Sequence, residues 1–129
     1  MTKTVDAKKA IGYLTKAENS LHMAKLAIKE KAYDNAVMSA VHSAINALDA
    51  LTVSYLGKRA SGAHTDVLDL IKRIFDTDEY SDVKKQLTSL LSMKNESEYQ
   101  PSLMDSDDAD NAVKWAERVV NRVKAKLKR

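Results

Sequence analysis

Residues that form tight turns are scarce in this chain. Its 129 residues include three glycines, at positions 12, 57 and 62, and one proline, Pro101. A sandwich or barrel of many short strands needs such residues at most of its corners. The scarcity argues against an all-β fold and favours a few long segments with few turns between them. The length fits one domain, which we expect to span residues 1–129.

Apolar residues at helical spacing predict where the long segments lie. Between residues 4 and 31 they recur at alternating intervals of three and four, which places them on one stripe of a helix. The same criterion predicts further helices over about 33–56, 64–75 and 79–95. Gly57 suits the C-terminal stop of the second helix, and Pro101 prevents any continuation of the fourth. The stripe of the first helix consists of Ala7, Ala10, Leu14, Ala17, Leu21, Ala24 and Ile28.

A fifth helix is predicted over residues 106–127. Ser106 is its expected N-cap, and the acidic residues that follow suit the positive end of the helix dipole. Residues 58–63, between the second and third helices, are expected to form a loop. The sequence therefore predicts an all-α bundle of about five helices. The apolar stripe of the fifth helix consists of Ala109, Val113, Ala116, Val120, Val123 and Leu127.

Several familiar chemistries are excluded by residues that the sequence lacks. It has no cysteine, and therefore no disulfide, thiolate zinc site or cysteine nucleophile. It contains no GxxxxGK[ST], GxGxxG or HExxH, and its three histidines lack metal-ligand spacing. No run approaches the roughly 18 apolar residues of a membrane span, and the N-terminus has no apolar signal region. We therefore expect a cytoplasmic protein with no membrane association, no metal and no cofactor.

Residues 94–99 (KNESEY) combine a cation, an amide, two acids and a phenol at the end of the fourth predicted helix. Lys94 and Glu98 are i,i+4 neighbours and can form an ion pair. One interpretation is a ligand-binding segment, in which Lys94 meets phosphate and Asn95 forms hydrogen bonds. The other is a frayed helix end with a surface ion pair and a half-buried tyrosine. The pattern by itself favours the second interpretation.

Two histidines are further candidates for a binding site. His42 lies in the apolar second helix, where a histidine is more often a satisfied core or interface residue than a catalyst. His64 opens the third helix. It is either a cap or, together with Lys58, Arg59 and Ser61, part of a phosphate site at the helix N-terminus.

Four cations form one i+4 row on the fifth helix. Such a row can contact successive phosphates of a nucleic acid. It also fits an ordinary solvated face, with cations placed toward the negative end of the helix dipole. Because the row itself contains no aromatic residue, the second interpretation is favoured. The row consists of Lys114, Arg118, Arg122 and Lys126.

Taken in order, these segments resemble the HEPN domain family. Residues 33–51 resemble that family's second helix, residues 57–64 its loop into the third helix, and residues 94–101 the position of its motif. The resemblance covers nearly the whole chain. It implies an up-and-down helical bundle, of the nucleotidyltransferase substrate-binding type, that usually dimerises. The residues that carry it are 33–37, Ala40, His42, Ala44, 47–51, 57–59, 61–64 and 94–101.

The resemblance also implies a type of activity and where to look for it. Many HEPN proteins are metal-independent ribonucleases, often toxins beside a nucleotidyltransferase antitoxin. Their active site is an arginine, often followed by asparagine, with a histidine five positions after the arginine, and two copies meet across the dimer. This chain keeps the spacing and Asn95, but Lys94 replaces the arginine and Tyr99 replaces the histidine.

Both replacements weaken ribonuclease chemistry. Metal-free RNA cleavage needs a base for the 2′-hydroxyl, and tyrosine, with a reference pKa of about 10, is a poor base near neutral pH. Lysine offers a point charge where arginine can clamp a phosphate with two hydrogen bonds. The sequence therefore resembles a branch of the family that keeps the fold and the motif position without the nuclease pair.

We therefore expect a non-catalytic HEPN-like homodimer that binds a nucleotide, an RNA or a nucleotidyltransferase subunit in a cleft near residues 94–99. One alternative is a weak metal-independent ribonuclease of the toxin–antitoxin type, using Lys94 and Tyr99. A second alternative is a purely structural partner subunit. The expected ligand-binding residues are Lys94, Asn95, Glu98, Tyr99, His42 and His64.

Overall fold

The computed structural model describes residues 1–101 and 103–128. Within these ranges the chain forms five α-helices and two three-residue strands. Short 3-10 helices, at Ala7–Lys9 and His64–Asp66, precede the first and third α-helices. The predicted all-α, up-and-down bundle of about five helices is confirmed. The elements follow in the order β1 (Thr2–Thr4), α1 (Ala10–Lys29), α2 (Tyr33–Leu56), β2 (Lys58–Ala60), α3 (Val67–Ile71), α4 (Thr77–Tyr99) and α5 (Ser106–Leu127).

The second helix, α2, is the centre of the bundle. It packs against α1, α4 and α5, and more than half of its residues are buried. By length and composition it is also apolar enough to cross a membrane, but 72% of its most apolar stretch is buried inside the protein. A helix that is apolar on most sides needs neighbours on most sides, and α2 has them.

Alanine at the contact between α1 and α2 lets the two helices approach closely. Ala17 and Ala24 of α1 are fully buried, as their place in the predicted stripe requires. Leu14 and Leu21 pack at the margin of the core and stay partly exposed. Ser43 of α2 donates a buried hydrogen bond of 2.7 Å from its Oγ to the carbonyl oxygen of Ala17. This contact leaves no room for larger side chains at the alanine positions.

The end of α2 follows from one glycine. Gly57 adopts the left-handed conformation, with φ of 67°, and its N–H donates to the carbonyl oxygen of Val53 at 3.0 Å. Glycine takes this conformation without the clash that a Cβ atom causes. The predicted stop of the second helix is therefore confirmed.

The start of α5 differs from the prediction by one residue. The N-cap is Asp105, and Ser106 is the first helical residue. Asp105 Oδ1 accepts from the N–H of Asp108 at 2.8 Å, while Asp108 Oδ2 accepts from the N–H of Asp105 at 3.0 Å. This reciprocal capping box satisfies two backbone donors, whereas a serine cap one residue later would satisfy one. The prediction of Ser106 as N-cap is therefore wrong.

Two predicted segments also contain short strands. Residues 2–4, assigned in part to the first helix, pair antiparallel with residues 58–60, assigned to a loop, with Thr2 opposite Ala60 and Thr4 opposite Lys58. Strands of three residues are too short to show an alternating pattern, and their pairing joins distant parts of the chain. The first helix therefore begins at Ala10, and the predicted loop begins with β2.

The third and fourth helices have different bounds from those predicted. The α-helical part of the third is Val67–Ile71, and the turns up to Phe75 include hydrogen bonds to the third preceding residue, which tighten the helix end. The fourth is longer than predicted, because Asp76 caps it and it continues to Tyr99. Gln100, before Pro101, is extended, as a residue that precedes proline tends to be.

Candidate functional site

The six predicted ligand-binding residues come from three elements of the fold. His42 lies in the middle of α2, and His64 is the first residue of the 3-10 helix that precedes α3. The other four, Lys94, Asn95, Glu98 and Tyr99, lie in the last two turns of α4.

Lys94 and Glu98 form an ion pair along α4. Lys94 Nζ lies 2.9 Å from Glu98 Oε1, and the two side chains are 19% and 32% exposed. Both are more buried than a typical surface pair, so solvent screens their attraction less. The pair holds the ammonium in a fixed place and balances its charge.

His64 lies within electrostatic reach of this ion pair and of the second histidine. The pKa of His64 is lowered, first by partial burial and then by the electrostatic effects of Lys94 and of the neighbouring His42. The carboxylate of Glu98 acts in the opposite direction and raises the pKa. A lowered pKa keeps the imidazole neutral at pH 7. We refer to His42, His64, Lys94 and Glu98 as the motif cluster.

Asn95 and Tyr99 are exposed, as His42 and His64 also are, but neither is among the groups that act on the pKa of His64. Tyr99 is the last residue of α4, and 76% of it is exposed. Five residues along a helix correspond to a rotation of about 140°, so Tyr99 and Lys94 point in different directions. The interpretation of residues 94–99 as a helix end with a half-buried tyrosine is therefore wrong about the tyrosine, and α4 extends through Tyr99.

An acidic residue that the sequence analysis did not select holds this end of α4 in place. Asp34, in the first turn of α2, accepts a hydrogen bond from Ser97 Oγ at 2.7 Å and from the N–H of Met104 at 3.2 Å. An acid at the start of a helix is explained by its interaction with the helix dipole, so the sequence gives no sign of a tertiary contact. Asp34 thus joins α2 to both sides of the turn between α4 and α5.

A buried carboxyl group was also missed. Asp49 of α2 is only 8% exposed, and burial raises its pKa from 3.8 to about 6, against the lowering effect of Arg59. It lines a cavity of about 110 Å³, which we call the Asp49 pocket. Its sequence neighbours, ALDAL at residues 47–51, are typical of a core helix. A single acid among such apolar residues is the sequence feature that could have indicated a buried carboxyl group. The other residues that line the pocket are Ile45, Arg59, Ala60, Ser61, Gly62, Ala63, His64 and Val67.

Of the four predicted phosphate ligands, Arg59, Ser61 and His64 line the Asp49 pocket and Lys58 does not. Lys58 and Arg59 lie in β2, and Arg59 donates from Nη1 to the carbonyl oxygen of Ala60 at 3.2 Å. The N-cap of the following 3-10 helix is Ala63, without a side-chain cap. Among the described residues, no group of three or more histidine, aspartate or glutamate side chains is arranged to hold a metal ion.

The basic row of α5 is partly engaged in ion pairs with α4. Arg122 lies 3.0 Å from Asp82, and Lys126 lies 3.1 Å from Glu79. These pairs join neighbouring helices and fit the interpretation of a structural face. A groove of about 680 Å³ between α4 and α5 contains Lys84, Lys85 and Trp115, and none of the six predicted residues lines it.

A second groove reaches the motif cluster from α1. It has a volume of about 580 Å³ and is lined by apolar side chains of α1 and α2, among them Met23, Leu26 and Met38, and by His42. Met23 is 55% exposed and Leu26 37% exposed. Leu103, in the segment between α4 and α5, is 84% exposed.

Comparison with known proteins gives a family and a fold. Residues 12–126 match the sequence model of the HEPN domain family. Among solved structures, that of TT1696 from Thermus thermophilus is similar, with a TM-score of 0.70 at 20% sequence identity, over 92% of this chain and 98% of that one. The search of curated proteins gives no match.

Proposed function

The chain belongs to the HEPN domain family, and we propose that it is a non-catalytic, dimeric member that binds RNA or a nucleotide around residues 94–99. The observation that carries the proposal is the ion pair between Lys94 and Glu98. It fixes a cation beside two histidines, while Asn95 and Tyr99 stay accessible next to it.

Each of these side chains can bind a different part of an RNA strand. Lys94 has three N–H donors, of which Glu98 occupies one, so the others can bind a phosphate. The exposed ring of Tyr99 offers a face on which a base can stack. The amide of Asn95 can donate to and accept from a base or a sugar hydroxyl. The segment thus supplies the three contacts that binding of single-stranded RNA uses.

The same geometry supports a binding role over a catalytic one. The charge of Lys94 is balanced by Glu98, which reduces its ability to stabilise the additional negative charge of a cleavage transition state. Tyr99, at the histidine position of the family motif, is a phenol in solvent, and no described residue is positioned against it to make it a base.

Exposed apolar residues near the site support the dimer. Met23, Leu26 and Leu103 carry apolar surface in solvent, and the groove that contains the first two also contains His42. A second copy that covers this surface would bury it next to the motif cluster. In this arrangement the ligand lies in a cleft between the two copies.

RNA binding by variants of residues 94–99 tests the proposal. We expect Tyr99→Ala to weaken binding of a labelled single-stranded RNA about tenfold in fluorescence anisotropy, and Tyr99→Phe to keep it, because stacking needs the ring. Lys94→Ala should weaken binding and reduce its salt dependence. Lys9→Ala, which removes the same charge from an exposed position before α1, is the control. Equal binding by all of these proteins would exclude this site.

The dimer is tested separately by sedimentation. We expect wild type to sediment as a dimer at micromolar concentration and Leu103→Glu to shift the equilibrium toward the monomer. A monomer at every concentration would remove the cleft. Failure to bind RNA or nucleotides, with stable capture of a nucleotidyltransferase subunit, would instead favour a protein-binding or purely structural role.

A ribonuclease is the second candidate function, because the structure offers a neutral histidine. The lowered pKa of His64 keeps its imidazole available as a proton acceptor near pH 7, and Lys94 is among its electrostatic neighbours. Cleavage of total RNA in EDTA by wild type and not by His64→Ala would favour this function. His22→Ala, on α1 and outside the motif cluster, is the matched control.

A further inference from the structure

Asp49 and Arg59 line the Asp49 pocket, and each has polar atoms without a hydrogen-bond partner among the described residues. Within residues 1–101 and 103–128, the Asp49 carboxylate accepts no hydrogen bond, although the residue is more than nine-tenths buried. The Nε of Arg59 is buried and has no acceptor among the same residues. Buried donors and acceptors are normally satisfied, because an unsatisfied one costs free energy. The described residues leave hydrogen-bonding capacity unused on both side chains, so a molecule in the pocket can supply partners.

The two groups are complementary to one kind of chemical edge. An ionised carboxylate only accepts hydrogen bonds, and its two oxygens suit two adjacent N–H donors. A guanidinium only donates, so Arg59 suits an acceptor. The partner must present two neighbouring N–H groups to Asp49 and an oxygen or nitrogen lone pair to Arg59.

Guanine meets this requirement among the RNA bases. Its Watson–Crick edge presents the N1 and N2 donors side by side, followed by the O6 acceptor. Adenine and cytosine present a single amino group beside acceptors, and uracil presents one N–H between two acceptors. The apolar side chains of Ile45, Ala60 and Val67 also line the pocket and can contact the flat faces of a ring.

The volume and position of the pocket fit a base whose sugar stays outside. A pocket of about 110 Å³ has room for several water molecules, and therefore for the polar edge of a base that displaces them. His64 lines the pocket and also belongs to the motif cluster. A base in the pocket thus leaves its sugar and phosphate next to the residues proposed to bind RNA.

We propose that the Asp49 pocket binds the Watson–Crick edge of guanine, with Asp49 accepting from N1 and N2 and Arg59 donating to O6. The inference rests on the proposed function, since it makes that RNA-binding site specific for one base. The charged or titratable groups that line the pocket are Asp49 and Arg59, from α2 and β2, and His64.

Free nucleosides test the pocket independently of phosphate binding. In ¹H–¹⁵N correlation spectra, millimolar guanosine is expected to shift the amide signals of residues 60–64. Inosine, which lacks the N2 amino group, and adenosine should bind at least tenfold more weakly, because a site built for two donors is left unpaired by them. Asp49→Asn should remove the preference for guanosine. Asp69→Asn, the same change at an exposed position on α3, should keep it.

Failure of the pocket and failure of the proposed function give different results. Equal shifts with guanosine, inosine and adenosine, or no shift with guanosine, would overturn the proposal that the Asp49 pocket binds guanine. This holds whether or not the protein binds RNA. RNA binding that still depends on Lys94 and Tyr99 would then leave the proposed function intact. If guanosine binds but RNA binding does not depend on residues 94–99, the proposal for the Asp49 pocket stands and the proposed function is overturned.

Discussion

The hydroxyl of Ser97, near the end of α4, donates a 2.7 Å hydrogen bond to Oδ1 of Asp34, in the first turn of α2. The other oxygen of the same carboxylate accepts from the N–H of Met104, in the segment that leads into α5. Asp34 therefore fixes the last turn of α4 from two sides. The orientation of the candidate site depends in this way on a residue 63 positions earlier in the chain.

Replacement of Asp34 is the first prediction. Asp34→Ala removes both hydrogen bonds and leaves the Met104 N–H without its acceptor, so we expect the free energy of unfolding to fall by about 1 to 3 kcal/mol. Ser97→Ala removes one of the two bonds and should cost less. Urea denaturation measures both changes, and Asp110→Ala, at an exposed position on α5, is the control.

The local effect of the same substitution distinguishes positioning from general stability. Hydrogen exchange of the last turn of α4 should accelerate in Asp34→Ala more than exchange in the middle of α2. Equal stability and unchanged exchange would show that Asp34 does not hold the site.

The second prediction concerns the titration of His64. Because the charge of Lys94 lowers the pKa of His64 and that of Glu98 raises it, Lys94→Gln should raise the pKa and Glu98→Gln should lower it further. The pKa of His64 in each variant can be measured from its imidazole proton signals in NMR spectra. Lys85→Gln, which changes an exposed lysine of the same helix, should leave the pKa unchanged. If neither variant moves the pKa, the four side chains are not an electrostatic unit.

Most of the fold could be predicted from the sequence, because each long helix has a local pattern of apolar residues and end signals. The alanine stripe of α1, the limits of α2 and the stop at Gly57 depend on spacing and backbone preference, both readable along the chain. The strand pair was not predictable, since Thr2 and Ala60 are far apart and each strand has only three residues.

The candidate site was predictable only in part, for a similar reason. The i,i+4 spacing of Lys94 and Glu98 predicted their ion pair within one helix. The approach of His64 to this pair and the contact of Asp34 with Ser97 depend on how separate elements pack. No local pattern specifies such contacts, and the exposure of Tyr99 also depends on what surrounds the helix end.

The third prediction compares two glycines in different conformations. Gly57 has positive φ, so Gly57→Ala should destabilise the protein by about 1 kcal/mol or more through strain. Gly12 lies on the exposed side of α1, where a methyl group would have no neighbouring atom within 4 Å, and Gly12→Ala should stabilise by about 0.5 to 1 kcal/mol. Thermal unfolding of the two variants measures both changes. Stabilisation by Gly57→Ala would contradict the left-handed stop.

The last prediction concerns the stability cost of Asp49. Because its pKa is about 6 in the folded protein and 3.8 in the unfolded chain, the folded state holds the proton more tightly. Stability contributed by the neutral carboxyl is therefore lost as the pH rises from about 4 to about 6. Above that range the ionised group costs roughly 2 to 3 kcal/mol, from 1.36 kcal/mol for each unit of pKa.

Asp49→Asn removes this cost without changing the size of the side chain. We expect the variant to be more stable than wild type at pH 7.5 and the difference to shrink toward pH 4, as measured by urea denaturation at a series of pH values. Asp69→Asn, at an exposed position, should show no such trend. A variant less stable than wild type at pH 7.5 would mean that Arg59 compensates the buried charge. A stable variant that has lost its preference for guanosine would show that the carboxylate serves binding at the expense of stability.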